Sequence, residues 1–264
     1  MRLGALPLQG DGWREQHDAI LWRIVEDARE MGIATKPNVY GIFAACIPQV
    51  GRDRIDALPL RKRQGLVPDL MLIVQWDGRG PARRLLFELK TLHFGSSTYP
   101  QAAERCFAVG RRARGLPASY AAKARRVDQQ FCSTPSGQTG PVETRLRSFE
   151  PVKGLVFGAW AEASPDVHTL LRALAAAGSL RHHQSMGAAS PSEAHGALAW
   201  LIKRRWAMTA AREAARLTLA RLEFVGRGAA AALRRRKTAE SIAARMRRES
   251  CWQHRCPIHW RQGR

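Results

Sequence analysis

Long hydrophobic runs are missing from this chain. No window of its 264 residues approaches the ~18 consecutive apolar residues that a membrane span requires. Cysteine is sparse and odd in number: five, at 46, 106, 132, 251 and 256. That argues against a disulfide framework and for a reducing compartment. The first three cysteines stand alone in apolar or helix-like contexts and are expected to pack as small hydrophobes. A secretory leader is not expected, because Pro7 and Gln9 break the short apolar run in MRLGALPLQGDG. Glycine and proline are scattered without a period, which excludes a collagen-like chain. The expectation is a soluble, intracellular protein of cytoplasm or nucleus, neither secreted nor membrane-bound.

Acid is the deepest shortage. Asp and Glu number 22 against 43 Lys and Arg, a formal net charge of +21. Such an excess repels itself in the folded state and attracts polyanions. Nucleic acid is the leading partner class and an anionic membrane surface the second; a merely solvated basic surface is the plain alternative. The apolar share of 45% is ordinary for a globular protein, and the length allows one large domain with an appended segment.

Residues 12–31 read as a first helix, with Ile20, Leu21, Ile24, Ala28 and Met31 on one face and Gly32 as the stop. VYGIFAACI (39–47) fits a strand or a buried helical turn, and periodicity does not separate the two. LVPDLMLIVQW (66–76) and RRLLFELKTL (83–92) read as strands joined through the turn residues DGRGP, a β-hairpin. Residues 99–131 read as helical with a break at Gly115–Pro117, and 135–141 as a loop. A strand is expected over 153–163 and a helix over 165–178. Small and polar residues over 179–196 predict a flexible linker, and 197–223 and 229–249 two long Arg-rich helices, with Trp200 and Trp206 as packing residues. The order indicates an α/β or α+β protein. Three blocks follow: a core over 1–178, a linker over 179–196 and a basic helical extension over 197–264.

The chemistry concentrates on the hairpin. Asp69 follows Pro68 on one strand; Glu88 and Lys90 bracket Leu89 on the other. Alternation along a strand points Glu88 and Lys90 to one face and Leu89 to the opposite one. Charges within such apolar strands cost several kcal/mol unless paired or bound to an ion. A hard divalent cation compensates two carboxylates well and keeps waters for substrate phosphates. A cross-strand ion pair between Lys90 and one carboxylate is the plainer alternative.

Pro68-Asp69 followed by Glu88-Leu89-Lys90 resembles the PD-(D/E)xK nuclease superfamily over about residues 66–92. The resemblance implies a restriction-endonuclease-like core, a central mixed β-sheet flanked by helices. It implies that Asp69 and Glu88 ligate Mg²⁺ or Mn²⁺, with the Leu89 carbonyl as an extra ligand. Lys90 would position or help deprotonate the attacking water. The implied reaction is phosphodiester hydrolysis, in DNA ahead of RNA, with endonucleolytic cutting as the expectation. Members often add an acidic residue from the first helix; Glu15 and Glu26 are the candidates here, though neither lies on the expected buried face.

Further basic residues fit contacts to phosphate. Arg61, Lys62 and Arg63 lead into the Asp69 strand, and Lys123 and Arg126 share helical spacing with Tyr120 and Gln130. Residues 203–264 hold 17 Lys or Arg against four Glu and no Asp, densest at Arg234, Arg235, Arg236 and Lys237. Each group has a plain alternative as a solvated charged face. The polar run His93, Ser96, Ser97, Thr98, Tyr99 and Gln101 fits a substrate contact or a helix cap. Cys251, His254, Cys256 and His259 have ligand types that suit zinc, but a coincidental tail suits them better. Two other functions therefore stand beside the nuclease: a non-catalytic nucleic-acid-binding protein, and a basic protein at a membrane or acidic partner.

Overall fold

A computed structural model describes residues 12–39, 41–58, 67–75, 80–92 and 105–225. Helix α1 (Gly12–Glu30) forms on its apolar spacing, and Ile20, Leu21, Ile24 and Ala28 are buried. Gly32 ends it at φ 79°, a left-handed conformation natural to glycine. The Gly32 N–H donates to the Arg29 carbonyl and the Ile33 N–H to the Ala28 carbonyl, which satisfies the last turn as a Schellman motif.

Among the described residues four strands make one mixed sheet in the order β1 (Thr35–Pro37), β2 (Leu70–Val74), β3 (Arg83–Thr91), β4 (Lys153–Phe157). The first three are antiparallel neighbours; β3 and β4 run parallel. A parallel pair needs a long crossover. Here the crossover carries α3 (Arg105–Phe131) and α4 (Pro141–Arg147). Helix α2 (Gln49–Asp56) lies between β1 and β2 in sequence, and α5 (Pro165–His182) and α6 (Pro191–Val225) follow β4.

Strand alternation divides the sheet between two cores. Leu85, Phe87 and Leu89 pack with residues of α1, α5 and α6, including Ile24, Leu170 and Trp206. Leu86 packs on the other face with Tyr120, Ala124 and Val127 of α3 and Val142 of α4. The chain is thus an α+β protein with helices on both faces of its sheet. Buried polar groups tie these layers. Asp27 on α1 accepts hydrogen bonds from Arg205 Nη1 and Trp206 Nε1 of α6, each at 2.8 Å. Asp128 on α3 accepts from the Val142 and Glu143 N–H groups, both at 2.9 Å, and so caps α4 from another helix.

Several elements differ from the sequence expectation. Helix α3 runs without a break through Pro117. Proline forfeits one intrahelical bond, but the buried side chains of Leu116, Tyr120 and Ala124 hold the helix on the sheet. Strand β4 stops at Phe157, because the Gly158 N–H turns to the Glu162 carbonyl. The expected linker over 179–196 is largely helical: α5 continues to His182 and α6 starts at Pro191. Ala194, Leu198 and Ile202 of α6 are buried, the last two in the main core. Trp206 packs there as expected, edge-on to Phe157, whereas Trp200 is exposed beneath the Arg204 guanidinium. Among the described residues of 39–47 there is a 3₁₀ turn, Ala44–Cys46, and no strand. Cys46 and Cys132 are free and half-buried.

The chain divides into compact units at Met1–Leu217 and Thr218–Arg264. Arg61, Lys62, Arg63, the 93–101 polar run, Arg234, Arg235, Arg236, Lys237, the expected 229–249 helix and the Cys251–His259 cluster lie outside the described residues.

Candidate active site

Asp69 precedes β2 by one residue. Its carbonyl accepts from the Asn38 N–H at 2.8 Å, and that of Pro68 from the Val39 N–H at 2.9 Å, so the β1 side of the ladder reaches past the strand's formal end. Leu70 pairs with Phe87. One further antiparallel step sets Asp69 opposite Glu88, and strand parity puts it on the same face as Met71, Leu86, Glu88 and Lys90. The Leu89 N–H donates to Asp69 Oδ2 at 2.7 Å. One strand's carboxylate is therefore fixed to the backbone between the other strand's Glu88 and Lys90. Leu89 thus meets the site through its backbone, while its side chain is buried in the opposite core.

Glu88 is only 5% exposed. A carboxylate at that depth needs its lone pairs satisfied. Lys90 Nζ lies 2.5 Å from Oε1, and the Tyr120 hydroxyl donates to Oε2. Tyr120 lies three residues after Pro117 in α3. Because the helix continues through that proline, Tyr120 stays on the face that covers the sheet. Burial, then the neighbouring Glu88 carboxylate, pushes the Tyr120 hydroxyl well above its ordinary pKa, so it stays a donor. Lys123 extends its ammonium over the Tyr120 ring, 5.1 Å from the centroid.

His17, on α1, was not among the residues expected at the site. Its Nε2 lies 3.3 Å from Asp69 Oδ2 and its Nδ1 3.1 Å from Asp18 Oδ1. Burial works against its protonation, but the hydrogen bonds and charges of Asp18 and Asp69 outweigh it and raise the pKa from 6.5 to about 9. Burial likewise works against the Asp69 anion, and His17, Lys90 and the Leu89 N–H together still hold its pKa below 3.8. A signal for His17 was present: it precedes Ile20, Leu21 and Ile24 by three, four and seven residues, on the buried face. Glu15 and Glu26, the acidic candidates of that helix, point elsewhere, to Arg216 and Arg23.

Of the basic candidates, Lys123 and Arg126 are both exposed on α3. Arg126 lines a cleft of about 460 Å³ with Arg125 and Arg147, where Arg147 is already paired with Glu143 at 2.7 Å.

The donor set fits a hard divalent cation in kind. Among the described residues both partners of Asp69 address Oδ2, and two carboxylates could hold Mg²⁺ together with substrate oxygens and waters. Among the described residues no group of three or more His, Cys, Asp or Glu side chains is arranged to hold a metal by itself. No helix among them is long and apolar enough to cross a membrane. No family model, curated protein or solved structure matches the chain.

Proposed function

We propose that this chain is a metal-dependent nuclease with a restriction-endonuclease-like core, acting on DNA ahead of RNA. The observation that carries the reading is the bond from the Leu89 N–H to Asp69, which gathers Asp69, Glu88 and Lys90 at one patch. The order of elements supports it: a helix, three antiparallel strands, a crossover helix and a parallel strand. Asp69, Glu88 and the Leu89 carbonyl would hold Mg²⁺ or Mn²⁺, which when bound polarises a phosphoryl oxygen and acidifies a water. Lys90 would orient the attacking water and stabilise the negative charge that develops on the phosphoryl oxygens. Tyr120 fixes the Glu88 carboxylate, and His17 with the Leu89 amide fixes that of Asp69. The basic residues of 203–264 add sequence-independent attraction to backbone phosphate.

A second reading has its own observation. Both Glu88 oxygens are satisfied by Lys90 and Tyr120, as a structural ion pair in a non-catalytic nucleic-acid-binding protein would be. Plasmid and linear DNA incubated with Mg²⁺ or Mn²⁺ separate the two. The nuclease cuts, EDTA stops it, and Asp69→Ala and Lys90→Ala each abolish cutting while DNA binding persists. Binding without cutting in either metal would refute the nuclease and leave the second reading.

A further inference from the structure

A groove of about 270 Å³ lies between the end of β3 and the first half of α3. Leu92, Ala108 and Leu116 give it an apolar side; Arg111, Arg112 and Ser119 give it a polar one, and no carboxylate lines it among the described residues. Leu92 follows Lys90 by two residues, and its N–H continues the ladder to the Phe157 carbonyl at 2.8 Å. Alternation returns Leu92 to the face of Glu88 and Lys90, with its Cα about 7 Å beyond that of Lys90. The Arg111 guanidinium rests over the Phe107 ring, 5.7 Å from its centroid, which steadies the charge at this rim.

Gly115 adds an independent observation. It stands inside α3, where glycine is unfavourable relative to alanine. A Cβ there would meet no atom of the described residues within 4 Å, so packing among them does not require the glycine. It lines the groove, and a side chain at this position would occupy open space there. The larger cleft at Arg125 and Arg126 differs in holding the Glu143 carboxylate among its lining residues.

We propose that the groove is a subsite for a backbone phosphate of the bound nucleic-acid strand, next to the phosphate under attack, with its apolar side against the sugar. The proposal rests on the hydrolytic reading of the Asp69, Glu88 and Lys90 patch. Two guanidinium groups supply the charge-assisted donors that a phosphate diester accepts, and no carboxylate among the described lining residues opposes it.

The test is binding of a short fluorescein-labelled duplex DNA to the full chain in EDTA, by anisotropy across a salt series. Gly115→Glu places a negative charge in the groove and is expected to raise Kd about tenfold. Arg111→Ala with Arg112→Ala is expected to lower the slope of log K against log salt by about two. Arg52→Ala with Arg172→Ala, on α2 and α5, is the charge-matched control. Circular dichroism and thermal melting establish that each variant is folded. Gly115→Glu within twofold of wild type, or a slope change no larger than the control's, overturns the subsite. Cleavage by wild type in Mn²⁺ is read separately. If wild type cuts and the groove variants bind like it, only the subsite fails; if the variants lose binding and wild type never cuts, the nuclease fails and with it the groove's place beside a phosphate under attack, while its contact with phosphate stands.

Discussion

Replacing His17 by glutamine (H17Q) isolates one charge at the site. The imidazole bridges Asp69 on one side and Asp18 on the other, at 3.3 and 3.1 Å. Its pKa rises from 6.5 to about 9, which corresponds to about 3 kcal/mol of differential stabilisation of the protonated form. Below pH 6.5 the group is protonated folded or unfolded, and the contribution is fully present. Between pH 6.5 and about 9 the folded state holds a proton that the unfolded state lacks, so stability falls as pH rises. Above that window the contribution is gone. Urea unfolding in EDTA, from about pH 6 to about pH 10, reads it directly. Wild type should lose about 3 kcal/mol more than H17Q across the window. Parallel stability curves for the two proteins would refute the assigned pairing. Asp69 has a separate window: its lowered pKa contributes stability that is lost as pH falls below 3.8.

Tyr120→Phe removes the donor to a buried carboxylate and should cost about 2 kcal/mol in urea unfolding. Asp27→Ala leaves the buried Trp206 N–H without its acceptor, while Arg205 keeps Glu30, and should cost about 1–3 kcal/mol by the same measurement. Asp128→Ala uncaps α4 and should cost about 1–2 kcal/mol, with faster amide hydrogen exchange at Val142 and Glu143. Unchanged exchange at those two amides would show that α4 does not depend on this cap.

Much of the site was legible because β-strand geometry is local. Glu88 and Lys90 had to share a face once the strand was recognised, and the apolar residues around them identified it. His17 was harder to find, because a lone histidine on an apolar helix face carries no sign of which strand end it meets. The role of Tyr120 depended on α3 continuing past Pro117, and local propensity pointed to a break there. The segment over 179–196 read as a linker from its small and polar residues, but Ala194 is buried and the helix begins at Pro191.

Composition and contacts close along the chain were enough to establish the basic charge, the first helix, the hairpin and the sidedness of Glu88 and Lys90. The hold of the Leu89 amide and His17 on Asp69, the cover that Tyr120 gives Glu88 and the entry of α6 into the core emerge only when the layers come together. Most of those contacts link residues far apart in sequence, and packing between layers, which no local pattern encodes, sets them.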